Sequence, residues 1–302
     1  MNDDFDESVE FLFEEEEYSK RTIYSRFFST FSRVFKTPTS KLGGCVFAVI
    51  LLAAVLAPVL APFDPLEMYP RERFQTPSLS HLCGTDSYGR DIFSRILHGA
   101  KYSLSLAFAA EVMGVTVGVI LGSIAGYFGG KVEQVIMRFC DIWQAIPGLL
   151  MTIILSATLG PGFFNTIIAL SIGGIPSGAR MTRALILAER SKEYLEAAES
   201  INCSKLKIMF SHLLPNVISP TLVSITMGFG NAMVLAAGLS FLGLGIQPPI
   251  PEWGALLADG TGHIMKYPYM ILYPGIMIGI CVLSVNLMGD GVRDALDPKL
   301  RS

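Results

Sequence analysis

Between Asp141 and Arg180 the chain runs for 38 residues without an Asp, Glu, Lys or Arg. Two further uncharged stretches lie between Lys207 and Glu252 and between Lys266 and Asp290. A helix needs roughly 20 mostly apolar residues to cross the hydrocarbon of a bilayer. Runs of this length therefore read as integral membrane segments and not as buried core helices. Charge across the whole chain is correspondingly sparse, at 16%, where soluble domains carry about 25%. Inside lipid the backbone must satisfy its own hydrogen bonds, so only helices or closed barrels cross. Uninterrupted apolar runs lack the alternation of barrel strands. The sequence predicts an all-α integral membrane protein.

Six apolar segments follow from this reading, hence six transmembrane helices. They fall at 42–60, about 102–127, the two halves of the stretch after Asp141, about 217–242 and about 267–289. Gly160, Pro161 and Gly162 divide the long uncharged stretch almost in half, as strong local punctuation does. The expected organisation is an acidic cytoplasmic tail at 1–41, a first span at 42–60 and an extracytoplasmic segment at 61–101. A transmembrane core follows at 102–290, with a cytoplasmic loop at 189–216, and then a cytoplasmic C-terminus at 291–302. Lys and Arg set the orientation. With cytoplasmic termini, 17 basic residues face inward and 6 outward. The weak point is the 61–101 segment, which carries five of those six, Arg71, Arg73, Arg90, Arg95 and Lys101.

Nine of the 26 acidic residues lie in the first 17 positions. Such a block reads as a solvated, disordered tail. It is not a secretory signal, and the first apolar run reads as a retained anchor. The five cysteines are scattered without a CxxC pair, so no disulfide is expected. His81 and Cys83 read as isolated loop side chains and not as a metal site, which needs more ligands.

One polar stretch stands out, EYLEAAESINCSKLKIMFSHLLPN at 193–216. Glu193 to Ser200 are good helix formers. Asn202 suits a left-handed turn. Leu206, Met209, Phe210, Leu213 and Leu214 then fall at helical spacing, and Pro215 interrupts before the next span. The pattern is helix, turn, helix and re-entry. It fits either a docking bracket or an amphipathic connector lying on the membrane surface.

Glu196, Ala197 and Ala198, the turn residue, Phe210, His212 and the Leu214-Pro215 pair resemble the EAA loop of permease subunits of bacterial ABC importers. GTDSYGRDIFSRILHGAKYSL (84–104), GYFGGKVEQVIMRFCDIWQAIPGLL (126–150), LSFLGLGIQPPIPEWGALL (239–257) and GDGVRDALDPKLR (289–301) are similar to segments of the dipeptide, oligopeptide and nickel permease group, C-type. The resemblance covers nearly everything from residue 42 onward. It implies the ABC importer permease (MetI-like) fold. It also implies a coupling helix seated in a groove of an ATP-binding subunit, built on Glu196, Ala197, Ala198, Asn202, Phe210, His212 and Pro215. The family's usual turn residue is Gly; Asn202 departs from it mildly, since both reach left-handed geometry.

The chain has no Walker A pattern, because Gly130-Lys131 is followed by Val132. It is therefore expected not to be an enzyme. It should bind no cofactor and no metal, with ATP-Mg used by partner subunits. The partners implied are two ATP-binding subunits, a homologous B-type permease, an extracytoplasmic solute-binding protein and membrane lipid, with no nucleic acid. Closure of the ATP-binding subunits would rock the spans between inward and outward access, provided the loop binds the two states with different strength. The implied cargo is a di- or oligopeptide, with nickel or another small solute as the alternative. The implied location is a bacterial inner membrane.

Glu111 lies in the second span, where a charge at the bilayer centre costs roughly 3 kcal/mol. It is a candidate for the translocation pathway, or else an acid near the outer third that is protonated or snorkels. Asn286 reads as an interhelical hydrogen-bonding residue. Gly114, Gly118, Gly122 and Gly126 form one small-residue face suited to helix packing. A secondary transporter or channel would need more intramembrane charge, and a membrane enzyme would need motif partners for the four dispersed histidines.

Overall fold

A computed structural model describes residues 34–192, 194–195, 200 and 203–296. The acidic tail through residue 33, the loop residues Glu196, Ala197, Ala198 and Asn202, and the last six residues lie outside the described residues. Among the described residues the structure is helical, with a single bridge pair, Thr85 and Asp91, and no strand.

Helix α1 spans Pro38–Val55. Thr37 caps it, its side chain accepting from Ser40 N, and Pro38 stands in the first turn, where no N–H is needed. The predicted first span runs on to residue 60, but α1 stops five residues earlier. Pro58 restarts a short turn at Ala57–Leu60, as expected where proline removes a helix donor.

Helix α2, Ile92–Phe128, has 37 residues and is about 55 Å long at 1.5 Å per residue. It begins ten residues before the expected span. Asp91 is its N-cap, accepting from Ser94 N at 2.7 Å. It ends at Gly129, which adopts φ +64. The following helices α3 (Gly130–Gln144) and α4 (Gly148–Leu159) meet at an 86° bend. Pro147 forces this break by disfavouring helical geometry in the residue before it. The expected third span thus begins earlier and is broken. Charges at Lys131, Glu133 and Arg138 hide the α3 helix from an apolar-run reading.

Helix α5 covers Phe163–Arg190, α6 Leu214–Phe241, α7 Trp253–Thr261 and α8 Tyr269–Leu296. Among the described residues four helices are long and apolar enough to cross a membrane, Pro38–Val55, Ile92–Phe128, Pro220–Phe241 and Tyr269–Ala295. The bent α3–α4 pair is a fifth if counted as one span. Helix α5 has the length, at 28 residues, but carries Arg180, Arg183, Glu189 and Arg190 in its second half. Of the six basic residues between the fourth and fifth spans, Arg180, Arg183 and Arg190 therefore stand on this helix, and Lys192, Lys205 and Lys207 follow it.

The glycine stripe of α2 lies along α5, the most extensive helix pair. A Cβ at Gly118 would come within 3.0 Å of Gly178 Cα, and one at Gly126 within 2.9 Å of the Ile186 side chain. At Gly122 it would collide with the Ala179 carbonyl and the Thr182 side chain. The backbones are close because no side chain separates them.

Two apolar clusters tie these helices together. Phe229, Met233, Trp253, Met270 and Cys281 join α6, α7 and α8 to α2. Leu106, Ile167, Leu170 and Leu239 join α2, α5 and α6.

Candidate functional site

The segment at 61–91 folds as a cap over the end of α2 and α7. Asp86 is its hub. Its Oδ2 accepts from Arg90 Nε at 2.6 Å and from Arg95 Nη1 at 2.7 Å. Asp259 on α7 lies 3.4 Å from Arg90 and 3.6 Å from Arg95. Both arginines are buried. Burial pushes the Asp259 carboxyl above its ordinary range, against the pull of Arg95 and Arg90. His81 is not an isolated loop residue. It is buried, with Nδ1 2.9 Å from Asp91 Oδ1 and Nε2 3.3 Å from Glu72 Oε2. Among the described residues no cluster is suited to a metal ion. Burial raises the neighbouring Cys83 thiol to about 11, so it is not a reactive thiolate at neutral pH.

Helix α7 is fixed to α2 by a short buried relay. Glu252 caps α7, accepting from Ala255 N at 2.9 Å and from Ser103 Oγ at 3.0 Å. Ser103 Oγ in turn accepts from Trp253 N, and Trp253 Nε1 donates to Ile96 O at 2.9 Å.

At the opposite end, α3 and α5 are held together by Arg183 with Glu133 and by Arg180 with Asp141, the latter at 2.7 Å. The polar connector begins where α5 ends. Lys192 Nζ lies 2.6 Å from Glu189, and Tyr194 donates to the same carboxylate at 2.7 Å. Leu195 is buried with Tyr127, Ile186, Ile208, Leu213 and Val217. Ser204 caps the turn Lys205–Lys207. A π-helical segment then covers Ile208–Leu213, closed by a bond from Leu214 N to Met209 O. It merges into α6, so Pro215 does not interrupt the path as the sequence suggests. Proline falls in the first turn of α6, where its missing N–H is tolerated.

Of the expected docking residues, Phe210 is 59% exposed and Pro215 is also exposed. His212 lies in the π-segment, its side chain outside the described residues. The apolar face divides in two. Met209 and Leu213 turn inward, while Phe210 points away from the core.

Between α2, α4, α5 and α6 lies a cavity of about 830 Å³. Glu111 lines it, on the face of α2 that carries Gly114. Its carboxylate rests against Gly228 of α6, where any Cβ would collide with it. The cavity's Thr152, Ser171 and Ser177 hydroxyls donate to carbonyls of their own helices, Gly148, Ile168 and Gly174. Glu111, Ser224, Asn231 and Arg293 also line it. Among the described residues these four have no hydrogen-bond or ion-pair partner. Sequence reasoning singles out Glu111 but misses Gly228, Ser224 and Asn231, whose spacing along one face of α6 is the only available signal. Asn286 sits beside α6, with Oδ1 3.0 Å from a Cβ placed at Gly230. Its expected interhelical hydrogen bond is not formed among the described residues, and its side chain is exposed.

A cavity framed by helices at membrane depth, with a polar connector at one end, suits a transport subunit. Residues 118–302 match the family "Binding-protein-dependent transport system inner membrane component". The chain belongs to this family. Residues 25–77 also match the N-terminal TM domain of oligopeptide transport permease C. The dipeptide transport system permease protein DppC of Alkalihalophilus pseudofirmus is 40% identical over 281 residues, covering 93% of this chain and 92% of the relative. The di/tripeptide transport system permease protein DppC of Pseudomonas aeruginosa is 39% identical, over 93% and 95%. The glutathione transport system permease protein GsiD of Pectobacterium atrosepticum is 40% identical, over 94% of each chain. Among solved structures, a chain of the inward-facing MetNI methionine ABC transporter superposes with TM-score 0.56 at 18% identity, over 67% of this chain and 96% of that one. That likeness establishes the fold. The protein is a multi-pass inner-membrane permease subunit of an ABC importer, acting with ATP-hydrolysing and substrate-binding partners. ATP hydrolysis belongs to those partners.

Proposed function

We propose that this permease carries di- or oligopeptides inward through the cavity framed by α2, α4, α5 and α6. The observation that carries the proposal is the cavity itself, at about 830 Å³, a volume in the range of sites that enclose small-molecule ligands. Peptide as cargo draws support from the dipeptide, di/tripeptide and glutathione names of relatives at about 40% identity over nine-tenths of the chain. These names favour a peptide over nickel, the alternative cargo.

The working assembly pairs this chain with a homologous B-type permease, two ATP-binding subunits that use ATP-Mg, and an extracytoplasmic solute-binding protein. The permease itself holds no cofactor. Its termini are cytoplasmic, with α5 completing six crossings. The buried pairing of Arg90 and Arg95 with Asp86 and Asp259 removes the main objection to that orientation. Two of the five basic residues of the 61–101 segment are neutralised within the cap and do not count as free positive charge.

The connector at 189–216 is the docking element. Glu196, Ala197, Ala198 and Asn202 belong to it with Phe210, His212 and Pro215, and an exposed Phe210 next to a buried Met209 and Leu213 suits a helix that enters a partner's groove. Affinity purification of a tagged chain from its own membranes should bring down ATP-binding subunits. Vesicles reconstituted with that complex and the binding protein should take up radiolabelled dialanine only with ATP. Conductance by the chain alone, or uptake without an ATPase, would sink the reading.

A further inference from the structure

The cavity holds two formal charges of opposite sign, Glu111 and Arg293. Neither is paired within the described residues. Glu111 meets α6 at Gly228. Arg293 enters lower on α8. Gly289 of α8 packs against Thr226 and Met227 of α6, and Arg293 is one helical turn further along. Helices α6 and α8 run antiparallel, since Gly230 faces Asn286 and Gly289 faces Thr226. Arg293 is therefore level with about residue 223, and Val223 also lines the cavity. Five residues of helix separate the two levels, about 7.5 Å along α6. Two residues of extended peptide span about 7 Å.

The groups around the acid fit an ammonium and not a second anion. Ser224 and Asn231 flank Gly228 at one helical turn on either side and line the same wall. Each offers an oxygen acceptor, and the Thr152, Ser171 and Ser177 hydroxyls, whose protons go to their own backbone, present only acceptor lone pairs to the cavity. An ammonium has three donors and no acceptor. A carboxylate left unpaired at membrane depth is unfavourable, and a cationic ligand relieves that cost only while it is bound. Arg293 supplies the fork geometry that receives a carboxylate.

We propose that the cavity holds a zwitterionic short peptide by its two ends. Glu111, with Ser224 and Asn231, receives the α-ammonium, and Arg293 receives the terminal carboxylate. Gly228 is the seat that lets the Glu111 carboxylate lie against α6. This assignment rests on the peptide-import reading above and adds a selectivity filter inside the membrane subunit.

The test uses the whole transporter complex in lipid nanodiscs, without the binding protein. Equilibrium dialysis would compare radiolabelled dialanine, N-acetyl-dialanine and dialanine amide. The expected result is at least a tenfold preference for dialanine over each blocked form. Glu111→Gln should abolish the preference over the acetylated form and keep that over the amide. Arg293→Gln should do the reverse. Equal binding of all three by the wild-type complex, absence of binding, or a Glu111→Gln complex that still rejects the acetylated form would overturn the proposal. If no ATP-binding subunit accompanies the chain during purification, the importer reading fails instead, independently of the dialysis.

Discussion

The cap at 61–91 and the connector at 191–213 are both polar segments joined to the ends of long helices, yet they are anchored by opposite means. The cap turns the charges next to α2 inward. Asp86, Arg90 and Arg95 are buried together, and Asp91 and His81 form a second buried pair. The connector turns Leu195, Ile208 and Leu213 inward into one apolar cluster, and leaves Phe210, Lys192, Lys205 and Lys207 exposed. Buried charge pairs are weak contributors to net stability but severe liabilities when one member is lost. An apolar seat tolerates graded damage. The cap is therefore built as a fixed part, and the connector as a part whose outer face is available to a partner.

The largest effect expected from this contrast is on activity and falls on the connector. Glu196→Lys or Ala198→Arg should abolish uptake and release the ATPase subunits, while the permease remains inserted and thermally intact. Normal transport in either variant would remove the docking assignment. Next is the cap: Arg95→Ala leaves Asp86 and Asp259 short of a partner and should cost about 3–5 kcal/mol. A fall in detergent melting temperature, with protease cleavage appearing within 61–91, would register it, and an unchanged melting point would break the contrast. Leu213→Ala removes a fully buried side chain and should cost about 2–5 kcal/mol, while the docking residues stay in place. Melting and pull-down on the same sample separate the two effects. Arg180→Ala breaks a pair about half exposed on both sides, so about 1 kcal/mol or less is expected, visible only as a small melting shift. Asn202→Gly should be nearly silent in uptake, because glycine and asparagine share the turn geometry. A severe loss there would reveal a role for the Asn side chain.

Local features of the sequence were legible and distant partnerships were not. The glycines at 114, 118, 122 and 126 recur at one helical spacing, so their packing role shows without knowing that α5 is the partner. The break at Gly160 to Gly162 separates α4 from α5 where the punctuation stands. Arg90 and Arg95 read as free charges although Asp86 lies only four and nine residues away, because the loop pattern does not show the turn folding back on itself, and their second partner, Asp259, is more than 160 residues distant. Helix α3 was hidden for a different reason, its polar face carrying Glu133 and Asp141 for pairing with α5. Glu111 was conspicuous as an acid in an apolar run, but nothing near it in sequence indicates Gly228, which determines where its carboxylate lies.

The glycine seam has a consequence for biogenesis. Helix α2 is finished at Phe128, and the matching face of α5 is complete only at Arg190. At 5–20 residues per second, about 3–12 s of synthesis separates the two. Through that interval the backbone of α2 along Gly114 to Gly126 is unshielded by side chains and has no partner from its own chain. The nascent protein is most open then to a wrong helix neighbour. A bulky residue at Gly122 would leave insertion of α2 untouched and act only after α5 arrives, as a late failure of assembly recognisable by quality-control proteolysis of a fully inserted chain.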